Sequence, residues 1–311
     1  MIPTLPGPRL IDAATTRAAL PMDRLIDALH GAFVAGAEAP LRYRNALPDG
    51  AALLLMPAWR GRTALGVKLV TVFPGNGALG LNAVSSTYLL CDGATGRHLA
   101  IIDGNEITGR RTAAASALAG RHLARADASR LLVVGSGHVA GLMAEAWAAV
   151  RPIGRVTVWN IRSAGAGRLA ATLRASGFDA TATDDLQAAV GAADIVSCAT
   201  LSHTPLVRGA WLRPGTHLDL VGGYLPTMRE ADDDAVRRAR VFIDTEAALA
   251  EAGDITQPIA SGVIARAEIA GTLFSLCRGE VQGRRDAGEI TLFKSVGSAI
   301  EDLAAAALVV A

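Results

Sequence analysis

The stretch Arg130-Leu131-Leu132-Val133-Val134-Gly135-Ser136-Gly137-His138-Val139-Ala140 decides the fold. Leu131 to Val134 are four apolar residues, two of them β-branched, which suits a short buried strand. A G-x-G-x-x-A turn follows, and Leu142 to Val150 is then built largely of strong helix formers. Strand, glycine turn and helix in this order are the context a dinucleotide-binding fingerprint requires. Gly135 permits the tight turn, Gly137 lets the main chain approach a pyrophosphate, and the small Ala140 lets helix and strand pack closely. The free N–H groups at the helix start, around Ser136, His138 and Val139, would then face the phosphates. An ordinary βα turn can carry the same glycines, so the next strand matters. Arg155 to Asn160 is that strand, and it ends 25 positions after Gly135. An acidic residue about 20 positions on would accept from the ribose of NAD. Here the residue is Asn160, with Arg162 shortly after. An amide plus a guanidinium suits a 2′-phosphate better than a bare diol, so NADP(H) is the preferred cofactor and NAD(H) the alternative. Otherwise Arg162 is only a solvated loop charge.

The chain has 311 residues, enough for two domains at about 100–200 each. A hydrophobic fraction of 51% with 19% charged residues describes a core-rich globular protein. The net charge of +1 makes no electrostatic case for nucleic acid or an anionic membrane surface. Met1 to Pro8 lacks an apolar signal core, and no uncharged run approaches the roughly 18 residues of a spanning helix. Cys91, Cys198 and Cys277 are odd in number and far apart, which argues for reduced thiols in a cytoplasm. Neither they nor the six histidines show metal-ligand spacing, so no structural metal is expected.

Leu10 to about Ala37 has helical periodicity. Ala39 to Asn45 reads as a polar, basic strand, Ala52 to Met56 as a strand ended by Pro57, and Thr63 to Val72 as another. On this last strand Leu65, Val67 and Leu69 share one face, and Lys68, Val70 and Val72 the other. Ser85 to Leu90 and His98 to Ile102 flank Asp92-Gly93-Ala94-Thr95-Gly96, a hairpin signature. The first hundred residues thus predict helix plus an antiparallel sheet. Thr112 to Ala126 is an alanine-rich helix entered through Thr108-Gly109-Arg110-Arg111. Six strands then alternate with helices, at 130–134, 155–159, 179–182, 194–198, 216–221 and 240–244, which predicts a doubly wound parallel sheet. Leu292 to Val310 reads as a final helix. His203, His217 and the run Asp232-Asp233-Asp234 read as structural or solvated.

Lys68 lies among apolar strand neighbours, where an unpartnered ammonium is expensive. It either snorkels to the surface or meets an anion in a cleft. Arg111, in the predicted first turn of a helix, opposes the helix dipole unless an anion occupies the same place. Otherwise it is an exposed surface arginine. Arg42 and Arg44 alternate with Leu41 and Tyr43, as a solvated edge or an anion clamp. These cations lie outside the dinucleotide unit or at its edge, where a substrate carboxylate would be held. The chain shows no nucleophile elbow and no Cys/His pairing, so hydride chemistry on a small carboxylated molecule fits best.

Taken jointly, Met56-Pro57-Ala58, Gly66-Val67-Lys68, Phe73-Pro74-Gly75-Asn76, Leu89 to Asp92 with Thr95-Gly96, Asp103-Gly104 to Thr108, Arg111-Thr112-Ala113-Ala114, the glycine turn, Lys294-Ser295-Val296-Gly297 and Glu301-Asp302 form a pattern. Through it nearly the whole chain resembles the ornithine cyclodeaminase/mu-crystallin family. The resemblance implies a Rossmann-type, doubly wound parallel sheet (residues 111–290) inserted in an α+β substrate-binding and dimerisation domain (1–110 plus 291–311). It implies that Arg42, Lys68 and Arg111 bind the substrate carboxylate, with Arg44 a rival for Arg42. Thr112 would stand near the cofactor phosphates and Ser295 near the nicotinamide. Cys198, Ala199 and Thr200, where the fourth parallel strand ends, complete the cofactor candidates. Family cyclodeaminases carry an aspartate after Val-Gly-Gly, whereas here Val221-Gly222-Gly223 is followed by Tyr224. A phenol with a reference pKa near 10 is a poor base at neutral pH but can donate a hydrogen bond.

The expected activity is therefore NAD(P)H-dependent reduction of a five- or six-membered cyclic imino acid (Δ1-pyrroline-2-carboxylate or Δ1-piperideine-2-carboxylate) to proline or pipecolate. Lys68, Arg111 and Tyr224 are the catalytic candidates, with Asp219 a further charged partner. Two alternatives stay open: an ornithine cyclodeaminase using bound NAD, and a non-catalytic, mu-crystallin-like binding protein. A homodimer is implied by the family.

Overall fold

A computed structural model describes residues 7–311, and the stretch Met1–Pro6, where no signal core was read, lies outside them. The chain divides into two compact units, one of the residues up to Arg111 with Ser298–Ala311, the other of Thr112–Gly297.

In the first unit, strands β1 (Arg9–Ile11), β2 (Tyr43–Ala46), β3 (Ala52–Arg60), β4 (Ala64–Val72), β5 (Val84–Asp92) and β6 (His98–Asp103) form one sheet in the order β1-β6-β5-β4-β3-β2. Only the β1–β6 pairing is parallel. The periodic stretch read as one helix is strand β1 and two helices, α1 (Ala13–Ala19) and α2 (Met22–Ala35). Asp12 starts α1 by accepting from the Thr15 N–H at 2.8 Å, and Pro21 separates it from α2. Strand β3 does not stop at Pro57. Pairing with β2 ends at Leu55, and the next contact on that side is the Trp59–Glu38 bridge, so the missing proline N–H falls where no partner strand stands. The C-terminal helix, Ala299–Val310, packs on α2, β3 and β4.

Helix α3 (Gly104–Leu123) starts eight residues earlier than the alanine run suggested. Asp103 accepts from the Glu106 N–H at 2.8 Å, a helix start hidden in the sequence by Gly104, Asn105 and Gly109. Arg111 therefore stands in the body of a helix, and the expectation of a first-turn cation opposing the dipole is corrected.

The second unit holds an all-parallel sheet of eight strands: β7 (Arg130–Val134), β8 (Arg155–Trp159), β9 (Ala180–Ala182), β10 (Ile195–Cys198), β11 (His217–Leu220), β12 (Arg240–Ile243), β13 (Gly271–Thr272) and β14 (Thr291–Lys294). Helices α4 (His138–Ala148), α5 (Ser163–Ala175), α6 (Leu186–Ala192), α7 (Asp233–Arg238), α8 (Ala248–Glu251), α9 (Gly253–Ala260) and α10 (Leu273–Cys277) lie between them in the chain. The order β13-β12-β14-β11-β10-β7-β8-β9 reverses direction at β7 and β10, the switch point at which such sheets bind ligands. Two strands exceed the six expected. Thr291–Lys294 is a buried strand between β11 and β12, not the start of the last helix and not part of the first unit. Gly297 at φ +78° and the Ser298 cap, which accepts from the Ile300 N–H, break the apolar run that made strand and helix look continuous. Among the described residues no helix is long and apolar enough to cross a membrane.

Candidate active site

Strand β4 alternates faces, so Gly66, Lys68 and Val70 point inward while Leu65, Val67 and Leu69 point outward. Lys68 is 1% exposed and does not snorkel. Its Nζ lies 2.8 Å from Asp302 Oδ1, and Arg111 Nε donates to the same oxygen at 3.0 Å. Arg111 Nη1 reaches Glu301 Oε2 at 2.8 Å. The anion both cations required is thus supplied by the first turn of the C-terminal helix. Burial pushes the Lys68 ammonium down to about 8, aided by the positive charges of Arg111 and Arg42 and opposed by Asp302. Burial alone would raise the Asp302 carboxyl, but Lys68 and Arg111 overcome it and hold it below its ordinary value. Arg42 is half-buried and lies just before β2, close enough to act on Lys68. Arg44 is exposed within β2, opposite Leu54, so the two arginines do not share a strand. Glu301 and Asp302 entered the sequence pattern without a role. The clue was a Ser-x-x-Glu helix start whose acids belong to the same apolar helix that Lys68 needed a partner from.

In the second unit Gly135 adopts φ +119°, and a Cβ there would stand 2.6 Å from the Ala199 carbonyl oxygen. The turn after β7 therefore rests on the turn after β10, across the switch point. A Cβ on Gly137 would meet nothing within 4 Å, and no side chain caps the start of α4 behind it. Gly137 and His138 are exposed, Ser136 and Val139 half-buried, and Ala140 is fully packed. An open approach to uncapped helix N–H groups fits a pyrophosphate. Gly165, which sequence reasoning missed, would carry its Cβ 2.6 Å from Ser136 Oγ and 2.8 Å from Asn160 Nδ2. It lets α5 close on both, so Ser136 and Asn160 come together. Asn160 Nδ2 donates to the Arg162 carbonyl at 3.0 Å, while Arg162 is exposed.

The other cofactor candidates divide by burial. The Cys198 thiol packs in the core, pushed far up by burial, and its carbonyl accepts from the N–H groups of Val221 and Gly222. Ala199 and Thr200, half-buried, are the accessible part of that turn. Thr112 is buried in α3, and the buried Ser295 hydroxyl lies 3.2 Å from Asp244 Oδ2, holding the loop after β14. Tyr224 is half-buried. Asp219 is fully buried and accepts from Ser197 Oγ at 2.6 Å on the neighbouring strand. Burial lifts its carboxyl to about 7, opposed by the Ser197 hydrogen bond and the Lys294 charge. His217 is equally internal, 2.9 Å from Thr291 Oγ1, and Asp232 caps α7 by accepting from the Ala235 N–H.

With this parallel dinucleotide-type sheet and α+β unit in place, residues 10–311 match the ornithine cyclodeaminase/mu-crystallin family. The chain belongs to that family. It is 43% identical over 258 residues to a Δ1-pyrroline-2-carboxylate reductase of Paracoccus denitrificans, covering 82% of each chain. The Thermococcus litoralis Δ1-pyrroline-2-carboxylate reductase, solved with NADH and L-proline, superposes with a TM-score of 0.93 at 34% identity, over 97% of this chain and 96% of that one. An archaeal alanine dehydrogenase dimer with bound NAD gives a TM-score of 0.91 at 28% identity, over 97% and 94%.

Proposed function

We propose that this chain reduces a cyclic imino acid bearing a 2-carboxylate, Δ1-pyrroline-2-carboxylate or its six-membered homologue, to proline or pipecolate. The observation that carries this reading is the convergence of Lys68 and Arg111 on one carboxylate oxygen, in a family whose similar members include pyrroline-2-carboxylate reductases. Asp302 and Glu301 align the two cations before any substrate arrives, so their orientation is settled on folding rather than during the reaction. With Arg42 beside them they take the substrate carboxylate. The reduced nicotinamide, when bound, supplies the hydride for the imine carbon. The nitrogen is protonated in the reacting iminium, so the amine product needs no further base. Tyr224, standing where cyclodeaminases carry an aspartate, donates a hydrogen bond or walls the pocket but does not serve as a base. The deciding assay measures NADPH and NADH oxidation with both cyclic imines beside ornithine deamination. Imine-dependent oxidation without ornithine turnover is expected. Proline and ammonia from ornithine without added cofactor would establish the cyclodeaminase instead, and binding without any turnover the mu-crystallin-like alternative.

For the cofactor, NADP(H) is the preferred form and NAD(H) is also accepted. Asn160 and the exposed Arg162 stand where a ribose-binding acid would exclude a 2′-phosphate. Arg162→Ala should lower kcat/KM for NADPH about tenfold, the scale of one exposed charged contact, and leave NADH unchanged. Equal losses on both cofactors would remove the assignment.

The chain acts as a homodimer joined through the outer face of the six-stranded sheet. That face carries Tyr43, Leu55 and Leu69 in one cross-strand row and Trp59 and Leu65 in another, with Tyr43 67% and Leu69 43% exposed. An apolar sheet face of this kind asks for a cover, and the alanine dehydrogenase relative is a dimer. Light scattering should give twice the chain mass, and Leu69→Lys should shift it towards the monomer. A monomeric parent at micromolar concentration rules the dimer out. Three buried free thiols support a reducing, cytoplasmic setting.

A further inference from the structure

We propose that Glu230 is a positioning residue whose carboxylate locks the turns after β10 and β11 together, holding Thr200 and the Gly222-Gly223-Tyr224 segment as one surface at the carboxyl edge of the parallel sheet. Its Oε1 accepts from the Thr200 N–H and from Thr200 Oγ1, both at 2.8 Å. Its Oε2 accepts from the Gly222 N–H at 2.8 Å and the Gly223 N–H at 3.2 Å. Four donors from two separate turns thus meet one fully buried carboxylate.

The lock is anchored from below. Lys294, fully buried at the end of β14, places Nζ 3.0 Å from Asp254 Oδ2 and 3.7 Å from Glu230 Oε2. Asp254 Oδ1 in turn accepts from the Glu230 N–H at 2.7 Å and the Ala231 N–H at 3.2 Å. A side chain is excluded at Gly222, where a Cβ would overlap the Thr200 main chain, and one on Gly223 would press against Lys294 Nζ at 3.3 Å. Thr200 follows Ala199, on which Gly135 rests, so the lock reaches the glycine turn through a single residue. A neutral loop here would be free to shift. Main-chain N–H groups tied to a buried carboxylate that is itself paired do not move without leaving that acceptor unsatisfied. Glu230 does not touch a ligand. It acts through Thr200 and Tyr224, and this inference rests on the reductase reading only for its kinetic arm.

The test is Glu230→Gln, which keeps shape and the acceptor for Thr200 but turns an amide donor on the Gly222 and Gly223 N–H groups. Amide hydrogen exchange on the free protein should speed up at least tenfold at Gly222 and Gly223 and stay within twofold at Leu218 and Leu220. In the kinetic arm kcat for the cyclic imine should fall at least tenfold, while NADH affinity, read by fluorescence titration, changes less than threefold. Unchanged exchange at the two glycines, or equal acceleration throughout the sheet, overturns the lock. A parent enzyme that turns over no cyclic imine fails the functional reading alone, because the exchange arm still decides this one. Should Glu230→Gln not fold, Thr200→Val, which deletes one of the four donors, is expected to accelerate exchange at position 200 and to leave Leu218 and Leu220 within twofold. No acceleration at position 200 also counts against the lock.

Discussion

Arg111→Ala should reduce kcat/KM on a cyclic imino acid by about a thousandfold, on the ~2–5 kcal/mol scale of losing a buried charged partner. The guanidinium is held by Glu301 at 2.8 Å and Asp302 at 3.0 Å, and in the proposed reaction it is one of the groups that receive the substrate carboxylate. Deleting it also takes a charged partner from two buried acids, Glu301 and Asp302, the second of which keeps Lys68, at a cost to the fold of about 3–5 kcal/mol. The two effects separate in Arg111→Lys. A lysine keeps the charge near Glu301 and Asp302, so the melting temperature should recover most of the loss. It cannot present two parallel N–H groups, so kcat/KM should stay at least thirtyfold down, with KM raised more than kcat is lowered. Steady-state kinetics and thermal melts on both variants decide the matter. Normal kinetics for a folded Arg111→Ala enzyme would remove the carboxylate clamp.

Asp302→Asn should cost about 3–5 kcal/mol of stability at pH 6, because its oxygen is the shared partner of Lys68 and Arg111. The loss should shrink as the pH rises. Lys68 in the folded protein already sits at about 8, below its unfolded value of about 10.4, since burial opposes its charge and Asp302 only partly offsets this. Holding it protonated therefore costs stability below pH 8, and that cost is relieved as the pH climbs from there towards the unfolded value. Removing the acid lowers the Lys68 value further and enlarges the cost at pH 6, whereas at pH 9 the ammonium is largely neutral in both folded proteins. Urea midpoints at pH 6 and pH 9 read the difference directly. Equal destabilisation at the two values would show that Asp302 does not govern the charge on Lys68.

Both predictions concern contacts between residues 191 and 234 positions apart in the chain, Arg111 to Asp302 and Lys68 to Asp302. The chain's local order was far easier to read. Strands β7 and β8 lie where the periodicity put them, because buried parallel strands are short, apolar and bounded by turns. The inward face of β4 followed from simple alternation. Boundaries failed where one chemical signal overrode another. Asp103 started a helix against three poor helix formers, and Ser298 started one inside an apolar run that had already formed β14.

What residues 130–140 and the alternation after them determined by themselves was the class of fold and the position of the glycine turn. Backbone conformation and strand burial follow from neighbours a few positions away, and those are written in order along the chain. Lys68 and Arg111 could be singled out by their misplaced charge, but not paired. Only the tertiary structure brought both cations to the acids of the C-terminal helix, and only it gathered Thr200, Gly222 and Gly223 on Glu230. A buried charge demands a partner without naming one, and which partner arrives depends on how distant segments close around it.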